Sequence, residues 1–536
     1  MSWSEVKKIN SDMSKPLDEL IGEIRDDILQ ESCTVTVSTS DSAAVDGQTI
    51  TMTNTLDSSR SETYTLATGE SSHAFRIIPN HTYHITVSSK SGYSTPAQSS
   101  TFTAVAGNIR NVAMVYGVEL CTVNVSTSDS ATVEGQVITM TNVTVGANTQ
   151  THTLAAGESS HVFKVMAGCS YHITVSSKAG YSTPAQSSTF SSVSGGTRSV
   201  TMTYVVIVRY GIRITKAESN PATRVTYLYD AVGKTPAAMN MSTNVMDYGG
   251  WADAFFVAQN RPVMLKYDGT VDYELSHTDQ TKKLDGVTAS DVGNTAYAGN
   301  AMSEFPLMWL YQYEDATYEY QIISNVQYDA NYHAYPFTNP AGTVKDKMYL
   351  PMFGGSYDGT RMRSIADQAI MVSQTRQTEV TRATANGTNW DTISFSQWTL
   401  INALLKIMSK TCNGQTAFGT GRSKTTNTTA INTGSLKATP QFKGYSDETS
   451  NVKVFYLEGW WGNVYSSIRG LVTNASTRIL SKQVPPYNFD GSGYADTGVT
   501  PNGTSGGYIS AMKIDNTVGA IPKTASGSAT TYECDV

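Results

Sequence analysis

Tyr83-His84-Ile85-Thr86-Val87-Ser88-Ser89-Lys90-Ser91-Gly92-Tyr93-Ser94-Thr95-Pro96-Ala97-Gln98-Ser99-Ser100-Thr101-Phe102 is written a second time as Tyr171 to Phe190, with one change, Ser91 to Ala179. The register extends without a gap on both sides. Cys33 aligns with Cys121, Gly47 with Gly135, Gly69 with Gly157 and Gly92 with Gly180, so residues 33–117 recur as 121–205. Within each copy apolar and polar residues alternate, as in Cys33-Thr34-Val35-Thr36-Val37, Thr49-Ile50-Thr51-Met52-Thr53, His84-Ile85-Thr86-Val87 and Asn111-Val112-Ala113-Met114-Val115-Tyr116. A period of two places every second side chain on one face of a strand. Asp46-Gly47, Glu134-Gly135, Gly69-Glu70 and Gly157-Glu158 supply corners between the runs. Short strands at this density, with no helical stretch between them, predict two small β-sandwiches in series, over 32–118 and 119–206. Copies of a compact module in series lengthen a molecule rather than add chemistry to it. The Gly-Tyr-Ser-Thr-Pro segments at 92–96 and 180–184 read as loops, with Tyr93 and Tyr181 as packing residues in preference to sugar contacts.

The chain has 536 residues, enough for several domains. Charged residues make up 15% of it, against about 25% in an average globular protein. With its abundant Ser, Thr, Gly, Asn and Tyr, this is the composition of β-rich surface proteins. A net charge of −7 and the lack of any Lys/Arg cluster give no support for nucleic-acid binding. Cys33, Cys121, Cys169, Cys412 and Cys534 are too few and too scattered for a disulfide framework or a CxxC zinc site, so buried free thiols and no metal are expected. The opening MSWSEVKKINSDMSKPLDELI lacks the apolar core of a secretion signal, and no run of 18 apolar residues occurs. Neither export nor membrane insertion is therefore expected, which points to assembly inside a cell into a larger particle, or to release by lysis.

Residues 15–30 carry a helical stripe, Leu17, Ile21, Ile24 and Ile28, with Pro16 at the first turn. So short a helix needs a partner, and segment 1–31 reads as an attachment or oligomerisation element. After residue 206 the composition changes, because Trp251, Trp309, Trp390, Trp398, Trp460 and Trp461 all lie beyond it and none lies in the repeats. Residues 207–536 then form a large C-terminal domain, with 207–290 as a candidate separate β subdomain. Strands are predicted over Leu307–Tyr311, Tyr318–Ile323, Val452–Leu457 and Gly507–Lys513. A helix is predicted from Ser394, with Gln397 completing a capping box and Trp398, Ile401, Leu405 and Met408 on its buried face. A further helix covers about Ile365–Gln374 or Thr378–Ala385.

No hydrolytic motif survives inspection. Gly503-Thr504-Ser505-Gly506-Gly507 fits GxSxG, yet Pro501-Asn502 precedes it and no histidine follows it. Only His277 and His333 lie outside the repeats, so a Ser-His or Cys-His pair has few candidates. HExxH, P-loop and dinucleotide fingerprints do not occur, and no cofactor is expected. A pair of carboxylates brought together by the fold leaves no local spacing and stays open as an enzyme reading. Aromatic display is the remaining chemistry: Trp460, Trp461 and Asn463 lie between glycines, and Tyr487, Asn488, Asp490 and Tyr494 lie in a loop-rich terminus. Rings of this kind stack on sugars while Asn and Asp bond hydroxyls. Adjacent tryptophans in a strand face opposite ways, so at least one is expected in the core.

The repeats resemble the Ig-like or PEGA-like modules of surface and tail proteins. Trp390-Asp391-Thr392-Ile393-Ser394-Phe395-Ser396-Gln397-Trp398-Thr399-Leu400, Leu404-Leu405 and Leu457-Glu458-Gly459-Trp460-Trp461-Gly462-Asn463 resemble the C-type-lectin-fold domain of phage tail receptor-binding proteins. Pro486 to Gly491, Gly503 to Ile509 and Pro522 to Ser528 are similar to the same group, and Trp3 to Asn10 resembles the start of tail proteins. The resemblance implies a mostly β, multi-domain virion protein: an N-terminal helix, two β-sandwiches and an α+β lectin-like head. It also implies tail or baseplate partners at 1–31, a homotrimer and a bacterial surface receptor, glycan or protein. Such a protein is assembled in the host cytoplasm and acts at the bacterial surface. Some relatives are targets of diversity-generating retroelements with a variable C-terminus. This chain instead stops at Thr530-Thr531-Tyr532-Glu533-Cys534-Asp535-Val536, and it lacks the calcium motifs of sugar-binding C-type lectins. The expectation is a tail adhesin, with a polysaccharide depolymerase and a structural tail decoration as alternatives.

Overall fold

A computed structural model describes residues 31–146, 149–474, 477–501 and 509–525. The expected helix at 15–30, the GxSxG segment at 503–507 and Cys534 lie outside the described residues. The chain divides into two compact units, Met1–Val206 and Ile207–Val536.

In the first unit the alternation builds a mostly β structure. Module one contains β1 (Glu31–Thr39), β2 (Thr49–Asn54), β3 (Glu62–Thr65), β4 (Ser72–Ile77), β5 (Thr82–Val87), β6 (Phe102–Thr103) and β7 (Ile109–Tyr116). They form two sheets, ordered β4-β1-β7 and β3-β2-β5-β6, with β1 antiparallel to β4 and parallel to β7. Module two repeats the plan with β8 (Val118–Thr127), β9 (Val137–Asn142), β10 (Gln150–Thr153), β11 (Ser160–Met166), β12 (Ser170–Val175), β13 (Tyr181–Ser182), β14 (Phe190–Ser191) and β15 (Thr197–Val206). Its sheets run β11-β8-β15-β13 and β10-β9-β12-β14. Cys33, Val35, Val37, Ile50, Met52, Tyr83 and Ile85 are buried in one core, and Cys121, Val123, Val125, Ile138, Met140, Tyr171 and Ile173 in the other. The buried Asn54 and Asn142 each donate from Nδ2 to a tyrosine hydroxyl, Tyr83 at 3.2 Å and Tyr171 at 3.0 Å. Tyr93 and Tyr181 are occupied structurally, since both hydroxyls bond an aspartate, Asp41 and Asp129.

The modules meet at a built junction. Val118 N donates to Ser40 Oγ at 2.9 Å, and Lys164 Nζ lies 2.7 Å from Asp41 Oδ2. Gly117 sits between them, where an added Cβ would stand 2.8 Å from the hydroxyls of Ser194 and Ser94 and 2.9 Å from Ala167 Cβ. The equivalent position at the end of module two is Val205.

The second unit is built around two antiparallel sheets. β16 (Arg209–Thr215) and β17 (Val225–Tyr229) are followed by a hairpin of β18 (Ala238–Asn240) and β19 (Val245–Asp247), then β20 (Arg261–Lys266), β21 (Val271–Glu274), β22 (Gly299–Pro306), β23 (Trp309–Glu314), β24 (Tyr318–Ser324) and β25 (Lys347–Pro351). The orders are β17-β16-β24-β23 and β21-β20-β22-β25. Because β16 bonds along its length to β24, residues 207–290 share a sheet with later sequence and do not form a subdomain of their own. The two longest helices of the unit follow, α1 (Arg376–Thr384) and α2 (Phe395–Ser409). α2 starts at the expected capping box: Gln397 N donates to Ser394 Oγ, and Ser394 N to Gln397 Oε1 at 2.9 Å. Ile401, Leu404, Leu405, Ile407 and Met408 bury it among Ile212, Trp251, Phe256, Phe305 and Phe442.

The helix expected over 365–374 or 378–385 forms at the second of these places, as α1; Ile365 and Ala366 are buried outside any helix, and Asp367 is left-handed (φ 63°). Two expectations need correction. Leu307–Tyr311 is not one strand, because β22 ends at Pro306 and β23 begins at Trp309. Val452–Leu457 is a hairpin, Lys453–Val454 against Leu457–Glu458, with Phe455 (φ 49°) and Tyr456 (φ 64°) as its two turn residues. Left-handed backbone costs such residues about 1–2 kcal/mol each. Full burial of both rings offsets that cost, so an aromatic pair turns the chain where Asn-Gly is the usual signal.

Candidate functional site

A cleft of about 210 Å³ opens in the second unit between α1, the start of α2 and the 459–468 loop. Its floor comes from Asn300 and Met302 of β22 together with Arg363, and its walls carry Trp390, Trp398 and Trp460. The local sequence explains how each indole is held. Trp390 closes a turn in which its N–H bonds Gly387 O, and its indole Nε1 donates to Tyr267 O at 2.9 Å. Trp460 follows the aromatic hairpin, and its Nε1 donates to Asn402 Oδ1 on α2 at 2.9 Å. Trp398 lies in the first turn of α2 with its ring stacked on Phe395. With two indole N–H groups tied to the scaffold, the carbon surfaces remain to line the cleft, the arrangement that suits an apolar ring face.

The polar floor is a closed network. Arg363, buried, donates to Tyr297 O at 2.6 Å, Gly299 O at 2.7 Å, Asp358 Oδ2 at 3.2 Å and Asn300 Oδ1 at 3.3 Å. Asn300 Nδ2 donates in turn to Asn386 Oδ1, and Asn386 Nδ2 to Met362 O and Ala383 O. Glu458 accepts from Ser435 N, Leu436 N and Asn451 Nδ2. At the rim Asp391 Oδ2 sits 3.4 Å from Arg469 Nε. Burial raises the Asp391 carboxyl above the ordinary carboxylate range, against the pull of Arg469. Arg469 also donates to Tyr487 O at 2.8 Å, and Arg376 on α1 donates to Leu471 O at 2.9 Å and to Ile468 O. These two arginines brace the loop behind the rim. Burial, then Arg469, lowers the affinity of Arg376 for its proton.

The residues singled out from sequence fall into three places. Trp460 lines the cleft. Trp461 is buried in the main core with its Nε1 donating to Gly419 O at 3.0 Å, and Asn463 ties two loops by bonding Ile431 N and Arg422 O. Tyr487, Asn488, Asp490 and Tyr494 lie in a separate turn that is not part of the cleft lining. Asn488 Nδ2 donates to Ser492 O, Asp490 accepts from Ser492 N, and the Tyr494 hydroxyl donates to Asn488 O. Tyr487 lies behind the rim, its carbonyl accepting from Arg469 and its ring beneath the same guanidinium. Sequence reading missed Glu379, Met362, Met371 and Trp390 as cleft residues. Trp390 carries a local signal, being an aromatic just ahead of a capping box, while the other three have none. Among the described residues no group of three or more His, Cys, Asp or Glu side chains could hold a metal ion, and no helix is long and apolar enough to cross a membrane.

No family model matches the chain, and no curated protein matches it. Among solved structures it is similar to the Bacillus anthracis TIE protein, at 10% identity over 52% of this chain and 44% of that one, with a TM-score of 0.19. It is also similar to the shaft pilin SpaA of Lactobacillus rhamnosus GG, at 12% identity over 33% and 98% of the two chains with a TM-score of 0.19. The open conformation of the pilus adhesin SpaC from the same organism gives 11% identity over 33% and 31%, with a TM-score of 0.20. The chain thus spans less than half the length of the TIE protein. Likenesses this slight carry no function across.

Proposed function

We propose that the chain is a receptor-binding protein of a bacteriophage tail, whose second unit attaches to a bacterial surface glycan through the tryptophan cleft. The observation that carries the binding reading is the set of three indoles around one concave site, two of them clamped by their N–H groups. The tail assignment rests on the sequence resemblance at 390–405 and 457–463, and the tandem modules are then spacers between particle and host. Several such heads on one particle, as in a homotrimer, multiply weak single-site affinities.

Retention of the full-length chain on purified bacterial walls tests the reading. Binding that is saturable, competed by the free wall glycan and lost in Trp460→Ala supports it. Equal retention of wild type and Trp460→Ala overturns the cleft as the binding site. A second reading, a glycosidase-type depolymerase, is favoured by one observation: Asp391, with its raised carboxyl, lines the cleft together with Glu379. New reducing ends released during the incubation, and abolished in Asp391→Asn, would establish that reading in place of simple adhesion. Localisation on virions tests the tail assignment, since a label at the C-terminus should appear at the distal end of the tail.

A further inference from the structure

The cleft's hydrogen-bonding groups are strongly one-sided. Nearly all of its side-chain N–H donors are already used within the protein: those of Arg363 on two carbonyls, Asp358 and Asn300, that of Asn300 on Asn386, those of Asn386 on the backbone carbonyls of Met362 and Ala383, and the indoles of Trp390 and Trp460 on Tyr267 O and Asn402. Trp398 is the exception among the indoles. The acceptors are different. Glu379, in the first turn of α1, lines the cleft with a carboxylate that accepts no side-chain or backbone hydrogen bond among the described residues, whereas Asp391 accepts from Thr392 N on Oδ1 at 2.8 Å and turns Oδ2 toward Arg469. Arg376, Arg469 and Arg382, whose Nη1 donates to Met371 Sδ at 3.1 Å, do not line the cleft. Arg376 has turned two of its N–H groups onto backbone carbonyls, and Arg469, buried behind Asp391, faces that carboxylate and Tyr487 O.

A site with the open carboxylate of Glu379, clamped indole faces and the thioether of Met362 is matched by a ligand that brings donors and positive charge. Indole faces attract ammonium groups, and a carboxylate bonds them with charge assistance. An anionic sugar would set its charge against Glu379 and Asp391 with no open cation in the lining. An N-acetylated sugar would replace three ammonium donors by one amide N–H and leave Glu379 desolvated, the situation in which a polar site rejects an analogue most strongly.

We propose that the cleft is selective for a glycan bearing a protonated primary amine, such as a de-N-acetylated glucosamine unit, over its N-acetylated and uronic-acid counterparts. The inference rests on the cleft being the glycan site proposed above. The test is calorimetric titration of the full-length chain with three tetrasaccharides: glucosamine, N-acetylglucosamine and galacturonate oligomers, at a pH that keeps the amine protonated. The glucosamine oligomer should bind at least tenfold more tightly than the other two, a difference of about 1.4 kcal/mol. Glu379→Gln should remove that preference, with unit unfolding temperatures as the check that the variant is folded. Equal or tighter binding of either other oligomer by the wild type overturns the inference, and so does a preference that survives in Glu379→Gln. Failure of all three to bind also overturns it. In that case wall retention that still depends on Trp460 leaves the adhesion reading standing, whereas retention independent of Trp460 removes both.

Discussion

In the two tandem modules the buried side chains follow one another along strands, Cys33, Val35, Val37 and again Cys121, Val123, Val125. The modules also bury Asn54, Asn142 and Glu119, but the unit from Ile207 onward buries a larger set, including Lys453, Arg363, Glu304, Asn300 and Gln280, beside its aromatic core. Lys453 is fully buried and donates to Gln280 Oε1 at 2.6 Å, Leu436 O at 2.7 Å and Thr439 O at 3.0 Å. Burial pushes its amine downward in proton affinity, against the charges of Glu458 and Asp279, which favour the protonated form. Glu304 accepts from Arg261, Lys347 and Tyr349, residues of the two strands that flank its own in one sheet. The contrast separates two ways of specifying a fold. An apolar core tolerates exchange of one hydrocarbon for another, whereas a buried polar group demands particular partners at particular places.

That difference can be broken experimentally, most severely at Lys453. Lys453→Met strips three buried oxygens of their donor and should cost the second unit about 3–5 kcal/mol, with the unfolding transition of the first unit unchanged in calorimetry. A shift in both transitions would mean that the units do not unfold independently.

Gly117→Val copies into the first module the residue that ends the second. Its side chain would collide with Ser94, Ser194 and Ala167, and a loss of about 1–3 kcal/mol in the first unit is expected. Denaturant unfolding reads the loss. The mirror change Val205→Gly should cost less.

The repeat itself can be tested for energetic equivalence. The Tyr116 hydroxyl donates to Ser88 O and the Tyr204 hydroxyl to Ser176 O, from matching positions in the two modules. Tyr116→Phe and Tyr204→Phe should each cost about 0.5–1.5 kcal/mol, and by the same amount. Unequal costs in urea titrations would show that one copy carries more of the unit's stability.

The smallest effect concerns the junction between the copies. Burial acts to raise the Asp41 carboxyl, but hydrogen bonds from Lys164, Thr39 and Tyr93 outweigh it and hold it at about 2, below the ordinary aspartate value of 3.8. A carboxylate whose proton affinity is lowered by folding contributes stability that is complete above 3.8 and is lost as pH falls from there through 2. Asp41→Asn should therefore cost up to about 1 kcal/mol at neutral pH. The gap between it and wild type should close at pH 2 in the same urea titrations, and a gap that persists there would rule out the ionised pair as its cause.

Much of this molecule is written locally. The duplicated stretch, its period-two strands and the Ser394–Gln397 box all appear in the structure where the residues put them, because each depends on neighbours within a few positions. The misreadings have a common physical origin. Phe455 and Tyr456 turn the chain against their own backbone preference because the surrounding core takes up their rings. Trp461 and Asn463, which look like display residues between glycines, are consumed by Gly419, Arg422 and Ile431, loop residues far from them in sequence. Glu379 and Met362 carry no motif, and they reach the cleft only because α1 packs beside the segment that holds Arg363.

Sequence by itself determined the mostly β class, the serial copies and the strong helix, since alternation, corner residues and caps express short-range sterics and hydrogen bonding. Tertiary structure alone decided which tryptophans face a cleft and which are core, and which donors remain open to a ligand. Those outcomes depend on hydrogen-bond partners far apart in the chain, such as Trp390 with Tyr267 and Trp460 with Asn402. Whether a polar group is spent or available is a property of the folded assembly and not of its place in the chain.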